Sequence, residues 1–570
     1  MIRNLIRGVV LAATVVALGA CEDTLVVQNP NSGDTDRVLG TPADAENLLG
    51  SYYKRWSSGV YGSTTNLEGM ANEMSFMNYS SLANNCQNNH TPYTGYTNFN
   101  SPGNTCQGEQ FRLYSILGEV NRVASSFLGK LDGGLSLGTP ARDNRARAFA
   151  EFLSGISLGY VAMMYDSAAV VSAATATADI GTLVNYTVVM DSALAALQRA
   201  INATNAGGVG ANGFPLPANW IPSPTSFTGP EFIRLVRSYR ARLRANVART
   251  PAERAAVDWA AVIADAQNGI TATHQITTST TVGPGNSWRA QYYSFGLWHQ
   301  MPPFFMGMAD TSGTYAAWIA QPVSDRGANS SAFFMATPDQ RFPQGTTRAA
   351  QQADFAVSQC TAASTICKRY FVNRPAGGDQ FTGAGWGLSN YDFARFHSWN
   401  TSGDATQRNG ATPFFVKAEL DLLQAEGLYR QGLFAAAGAL VNNSRTAAFT
   451  TVANGGGLPP ITVFDATTSV PGGNACVPKV PVAPFNVVAC GKLWDALKYE
   501  KRMETAYTSY APWYLDGRGW GDMSLGTPLY WATPFQDLQA RGRSTALIYG
   551  TGVGAGNAPN SVSTTSAYGW

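Results

Sequence analysis

Charged side chains are scarce in this sequence. Asp, Glu, Lys and Arg make up 13% of its 570 residues, against roughly 25% in an ordinary soluble domain. Formal net charge is +2, and the basic residues are scattered with no run that could track a phosphate backbone. That excludes a nucleic-acid or anionic-lipid binder driven by charge. Histidine is rarer still: the four, His90, His274, His299 and His397, fall in no HExxH or other ligand spacing. No CxxC pair or Cys/His cluster occurs either, so no metal site is read and no cofactor is expected. The apolar run near the N-terminus, Val9 to Ala20, is shorter than the roughly 20 residues a permanent membrane helix needs. What replaces charge is Gly, Asn, Ser, Thr and aromatics, the composition of a secreted, loop-rich protein with a neutral polar surface.

Arg3 and Arg7 precede that short apolar run, which suits the central segment of a signal peptide over residues 1–20. Leu18-Gly19-Ala20-Cys21 resembles the lipobox of bacterial lipoproteins, in which Cys21 is acylated and becomes the new N-terminus. The alternative is an ordinary signal peptide cut near Ala20. Seven cysteines would leave one thiol over in an oxidising compartment, and lipidation of Cys21 removes the odd one. The remaining six fall in three local pairs, Cys86 with Cys106, Cys360 with Cys367 and Cys476 with Cys490. This sequential pairing is one of about 15 possible connectivities, and each link would restrict the unfolded chain by roughly 2–4 kcal/mol. Residues 21–40, with the turn signal Asn29-Pro30-Asn31, read as an extended tether.

Beyond the tether, helical period dominates three stretches and fails in two. Thr41-Pro42 caps a helix through Leu48, Leu49, Tyr52, Tyr53 and Trp56. Residues 57–106 show no sustained period and are expected to form a long elaborated loop, where function often sits. Helices are predicted at Gln110–Lys130, Arg142–Tyr165, Asn185–Asn205, Thr228–Arg249 and Asp258–Ile270, completing a helical region over 41–274. Residues 275–410, rich in Gly, Pro, Trp, Tyr and Phe, are expected to combine short strands with long loops. A C-terminal region over 411–570 opens with a helical hairpin at Thr412–Arg445, Pro413 in its first turn and Gly432 in left-handed geometry between its helices, and continues with a helix from Lys492. One hairpin cannot bury its own apolar face. Pairs in succession can, so the fold class is mainly α, a tetratricopeptide-like array of helical pairs with long irregular insertions and a few short strands.

Catalytic patterns fail on context. Gly134-Leu-Ser136-Leu-Gly138 and Gly155-Ile-Ser157-Leu-Gly159 spell GxSxG, but a nucleophile elbow needs a strand-to-helix turn. The first falls between helices and the second inside one. Gly208–Gly213 and Gly550–Ala555 match GxGxxG and GxGxxA without a helix opening after them. No motif sets two carboxylates on one cleft for glycosidase chemistry.

The hairpin also carries a resemblance. AELDLLQAEGLYRQGLFAAAGALVNNSR resembles the helical-hairpin signature of the SusD/RagB family at Glu419, Leu423, Ala425, Glu426, Gly432, Ala436, Asn442 and Arg445. Tyr114, Leu117 and Asn121 match a second family helix, and Phe152, Leu153, Tyr165 and Asp166 a third, with Ser154 where Arg is usual. A C-terminal pattern matches at Glu500, Glu504, Trp513, Asp516, Arg518, Gly521, Pro534, Asp537 and Leu538. Departures there are Lys501 for Arg, Thr508-Ser509 for Glu-Gly and Pro512 before the Trp, which weaken the expected ion-pair network. The resemblance implies a noncatalytic surface lipoprotein of an outer membrane, facing outside. It would hold an oligosaccharide or peptide and pass it to a SusC-like TonB-dependent transporter. Sugar rings need aromatic platforms edged by polar groups. The irregular regions 74–106 and 286–305 supply that mixture, giving Asn88, Tyr93, Tyr96, Trp288, Tyr292, Tyr293 and Trp298 as candidate ligand contacts, with Trp386 behind them. The competing account is that these aromatics pack the loops onto the body. The rival functions are a secreted hydrolase using the same aromatic cleft and a helical scaffold that binds only proteins.

Overall fold

Short polar side chains set the helix starts. In the computed structural model, Thr139 accepts from the Arg142 amide (3.2 Å), and Thr228 and Glu231 form a reciprocal capping box. Asn185, Thr250 and Asp258 cap in the same way, each satisfying an amide that the first helical turn leaves without a partner. The structure describes residues 39–61, 67–78, 100, 102–103, 107–176, 179–206, 213–278, 300–326, 333–354, 369–374, 389–395, 410–447, 455–508 and 510–543.

The N-terminal helices are α1 (Pro42–Tyr61), α2 (Leu67–Met74), α3 (Gln107–Asp132), α4 (Pro140–Met164), α5 (Tyr186–Asn205), α6 (Gly229–Asn246), α7 (Pro251–Ala255) and α8 (Trp259–Gln267). A short hairpin, β1 (Ser167–Ala169) with β2 (Leu183–Asn185), joins α4 to α5. Helices pack in succession, α3 on α4, α4 on α5, α5 on α6 and α6 on α8. The mainly α array of helical pairs expected from the sequence is what forms. The GxSxG pattern inside α4 is a packing surface. A Cβ at Gly155 would lie 2.6 Å from Leu197 of α5, and one at Gly159 would lie 2.4 Å from Leu243 of α6. These glycines let three helices approach closely. Around them Trp56, Tyr160, Tyr239 and Phe152 interlock, mostly edge to face, in one core that runs through the array.

Two expectations fail. The stretch 57–106 is not all loop: α1 continues to Tyr61, and α2 has every residue buried. A helix buried on all sides shows no amphipathic period, so its polar Glu68, Asn72 and Glu73 resemble loop composition. Pro413 does not start a helix either. It lies in strand β6 (Gly410–Phe415), which pairs antiparallel with β3 (His274–Thr278), Gln275 opposite Pro413. The helix α13 (Lys417–Arg430) begins only after Val416.

That strand pair closes the irregular region at its base. β3 leaves directly after α8 and β6 returns directly before α13, and α8 packs on α13. The helical array therefore continues across the insertion. Within the insertion lie α9 (Pro303–Met306), α10 (Thr314–Ile319), α11 (Val323–Arg326), α12 (Arg348–Asp354) and the pair β4 (Phe371–Asn373) with β5 (Tyr391–Phe393). Then follow α14 (Phe434–Thr446), the hairpin β7 (Lys479–Val482) with β8 (Val487–Cys490), α15 (Leu493–Thr505), α16 (Pro512–Trp520) and α17 (Phe535–Ala540). Between α13 and α14, Gly432 has φ +76°. The Leu433 amide donates to Leu428 and the Gly432 amide to Tyr429, a Schellman ending that explains the glycine. Cys476 and Cys490 are bonded, Cα atoms 5.7 Å apart, as the local pairing predicts. Cys21, Cys86, Cys106, Cys360 and Cys367 lie outside the described residues.

The positions matched to the family signature are the ones that lock the array together. Arg242 of α6 donates through Nε and Nη2 to Glu419 of α13, both at 2.7 Å, and through Nη1 to the Tyr160 hydroxyl of α4 (2.9 Å). Arg254 of α7 holds Glu426 of α13 at 2.6 Å and Asp516 of α16 at 3.1 Å, and Lys501 of α15 holds Asp516 at 2.8 Å. Lys501 thus fills the place expected for arginine, and the network stands despite the departures. Arg341 joins Asp339, Glu500 and Glu504. All these charges are buried, where breaking one partner costs about 3–5 kcal/mol.

Candidate functional site

A second hydrophobic cluster gathers the insertion onto α15 and α16, and described residues that border three further segments of the chain meet in it. Phe76, just past α2, stacks on Phe304 of α9 with ring centroids 3.9 Å apart. Tyr507, just past α15, donates its hydroxyl to the Met77 carbonyl (3.3 Å) and stacks on Phe393 of β5 at 4.6 Å. Gln300 donates through Nε2 to the Ser389 carbonyl (2.6 Å), and the Ser389 hydroxyl donates to the Met301 carbonyl (2.6 Å). The Met301 amide in turn donates to Tyr391 (2.9 Å).

Backbone strain marks the same place. Phe76 at φ +58°, Tyr507 at +59° and Ala511 at +45° occupy left-handed geometry that side-chain-bearing residues rarely adopt, at about 1–3 kcal/mol each. Rigid packing holds them there. The Arg502 guanidinium lies 3.8 Å from the Phe305 ring centroid, and that ring meets Trp513 edge-on at 5.8 Å. Below, Tyr391 accepts from the Met335 amide (3.2 Å) and donates to Gln351 (2.8 Å). Burial, with carbonyl and side-chain contacts only partly offsetting it, raises the Tyr391 hydroxyl above its usual range, so it stays a neutral donor. The side-chain amide of Asn78 is buried with neither end hydrogen-bonded.

These residues border the segments that carry the candidate ligand contacts. Asn78 precedes the segment with Asn88, Tyr93 and Tyr96. Gln300 follows the one with Trp288, Tyr292, Tyr293 and Trp298, and Ser389 follows the one with Trp386. All eight lie outside the described residues. What the structure brings together is the framework from which the three segments leave. Phe76 and Phe304 fall inside the regions 74–106 and 286–305 without being singled out there, and no sequence signal used above marks Ser389 or Tyr507. Phe304 and Phe305 fall inside an aromatic run that reads as irregular, and nothing local marks Tyr507. Among the described residues no group of three His, Cys, Asp or Glu side chains is placed to hold a metal ion, and no helix is long and apolar enough to cross a membrane.

The same arrangement of helices recurs in solved structures. A SusD superfamily protein from Parabacteroides distasonis ATCC 8503 superposes with a TM-score of 0.52 at 10% identity, covering 88% of this chain and 98% of that one. A protein described as a SusD-like carbohydrate binding protein, from Bacteroides fragilis NCTC 9343, gives 0.50 at 13% identity, covering 85% and 87%. This chain has the SusD-superfamily fold. No family model matches the sequence, and no curated protein matches it; the SusD likeness is carried by tertiary structure.

Among the clefts that open on the described helical body are two beside α4 and α5. One, of about 200 Å³, lies among α3, α4, β1 and α17. The other, of about 300 Å³, lies between α5 and the α6–α8 turn and is lined by Tyr186, Asp191, Arg244 and Glu253. Neither is legible in the sequence, because each depends on how separate helices pack, and the first also needs Asp537 and Arg541 brought from the far end of the chain.

Proposed function

We propose that this chain captures oligosaccharide without chemistry, at the face where the segments 79–99, 279–299 and 375–388 leave the body. In this reading it is lipid-anchored at Cys21 on the outer membrane surface and delivers its cargo to a TonB-dependent transporter. The observation that carries the reading is the convergence, on one strained and tightly packed framework, of residues that border three segments, two rich in Asn, Tyr or Trp and the third Gly-rich with Trp386. Trp298 is two residues from Gln300 and Trp386 three from Ser389, and Gln300 and Ser389 are hydrogen-bonded, so covalent reach favours a shared platform. Stacked aromatic rings on a rigid base suit the apolar faces of sugars. The description of the Bacteroides fragilis neighbour as carbohydrate-binding supports the same ligand class. The test is affinity electrophoresis against a polysaccharide panel. At least one polysaccharide should retard the wild type, and a Trp298→Ala/Trp386→Ala double variant should lose that retardation with an unchanged melting temperature. Hydrolysis of the retarding polysaccharide, or retention equal in both proteins, would reject the reading.

A further inference from the structure

Gly118 lies well inside the long helix α3, where glycine weakens a helix, and nothing packs against it. A Cβ there would meet no atom within 4 Å. Gly108, in the first turn of the same helix, likewise meets nothing, whereas Gly50 faces Trp220, Gly59 faces Ile116 and Gly159 faces Leu243, each under 3 Å. What Gly118 borders is the cleft of about 200 Å³. Leu117, Leu158, Val161 and Ala168 give it an apolar lining.

The polar groups still open in that cleft are uncharged. Arg541 is tied to Asp537 (2.6 Å) and to the Ile180 carbonyl (3.0 Å), and Arg122 donates to the carbonyls of Ala176 and Asp179. Asn121 takes the Ser154 hydroxyl on its oxygen (2.7 Å) and donates one N–H to the Val171 carbonyl (3.3 Å), keeping its second N–H. Ser157 lines the cleft, buried, with no hydrogen-bond partner for its hydroxyl. The Tyr114 hydroxyl is shared between a long contact of 3.5 Å to Asp537 and the Thr533 side chain, so the groups left open are those of Asn121 and Ser157. With the cations occupied, a charged ligand gains nothing to offset its desolvation, whereas a neutral ring with an apolar face and hydroxyl edges meets both kinds of surface.

We propose that the cleft beside Gly118 is a second binding site that takes a single neutral sugar ring, kept open by the missing side chain at that position. Choosing a sugar among neutral rings rests on the capture reading above; the cleft's residues are otherwise separate from the loop bases. The probes are methyl α-glucoside, methyl α-galactoside and methyl α-mannoside, titrated into the full chain and followed by saturation-transfer NMR. At least one should receive saturation from the wild type and from Gly118→Ala, which leaves most of the space. Gly118→Leu should cut that signal about tenfold by filling the space. Because leucine favours a helix, its melting temperature should not fall below the wild type. Gly118→Gln, a second filler with a polar end, should lose the signal as well. The Trp298→Ala/Trp386→Ala variant should keep it. Absence of saturation in the wild type, or saturation unchanged in both filled variants, overturns this site. Polysaccharide retention through Trp298 and Trp386, measured on the same proteins, then stands or falls separately.

Discussion

Replacing Glu426 with glutamine tests whether the buried charges bind the helical array together. Burial alone would raise this carboxyl, but Arg254, hydrogen-bonded to both its oxygens, with Lys501 and Arg430 beside it, outweighs burial and holds it at about 2 instead of the ordinary 4.5. A folded-state value below the unfolded one means stability that is complete above about pH 4.5 and lost as pH falls toward 2. By proton linkage the ionised group contributes about 3 kcal/mol at neutral pH and about 1 kcal/mol at pH 3. With an unfolding entropy of about 2 cal/mol/K per residue, a chain this long loses about 1 °C per kcal/mol. Glu426→Gln should therefore melt about 3 °C below the wild type at pH 7, with the gap shrinking to about 1 °C at pH 3, by differential scanning calorimetry at matched ionic strength. A gap that is absent at pH 7, or equally wide at pH 3, would refute the assignment of Glu426 as an ionised partner of Arg254.

Three further outcomes follow from packing and caps. Gly159→Leu drives a side chain into Leu243, 2.4 Å from the added Cβ, and should destabilise by about 1–3 kcal/mol or more in urea unfolding; an unchanged midpoint would mean α4 and α6 are not in contact. Cys476→Ser removes the link across a sequence separation of 14 and should cost about 3 kcal/mol, with the wild type falling to the same level in reductant if the other cysteines contribute nothing there. Thr228→Ala removes the hydroxyl half of the capping box on α6 and should cost about 1 kcal/mol, read as earlier hydrogen exchange at the Glu231 amide.

Much of the helical array is legible in the order of residues. Asn185, Thr228 and Asp258 announce the starts of α5, α6 and α8 within a residue, because an N-cap is a local event with a chemical signature. Gly432 announces a Schellman ending for the same reason. Legibility fails where burial is complete. All-round contact erases the periodicity of α2, and its acidic residues then look like surface. Pro413 misleads because a proline fits a helix's first turn and a two-stranded sheet, where each strand has one unpaired edge, equally well, and the choice depends on whether β3 is there to pair.

Sequence by itself determined the positions of the amphipathic helices, the aromatic-rich composition of the insertion, and a set of charged residues at signature positions; it offered Cys476 with Cys490 as one pairing among about 15. Tertiary structure alone decided that those charges are partners, since Arg242 meets Glu419 and Arg254 meets Glu426 and Asp516 only when α6, α7, α13 and α16 are packed together. It also decided that Phe76, Gln300, Ser389 and Tyr507 meet at one framework, and that Gly118 borders a cleft. The physical reason is range: caps and turns are set by neighbours a few residues away, whereas an ion pair, a stacked ring or a cavity depends on surfaces that chain order does not bring together.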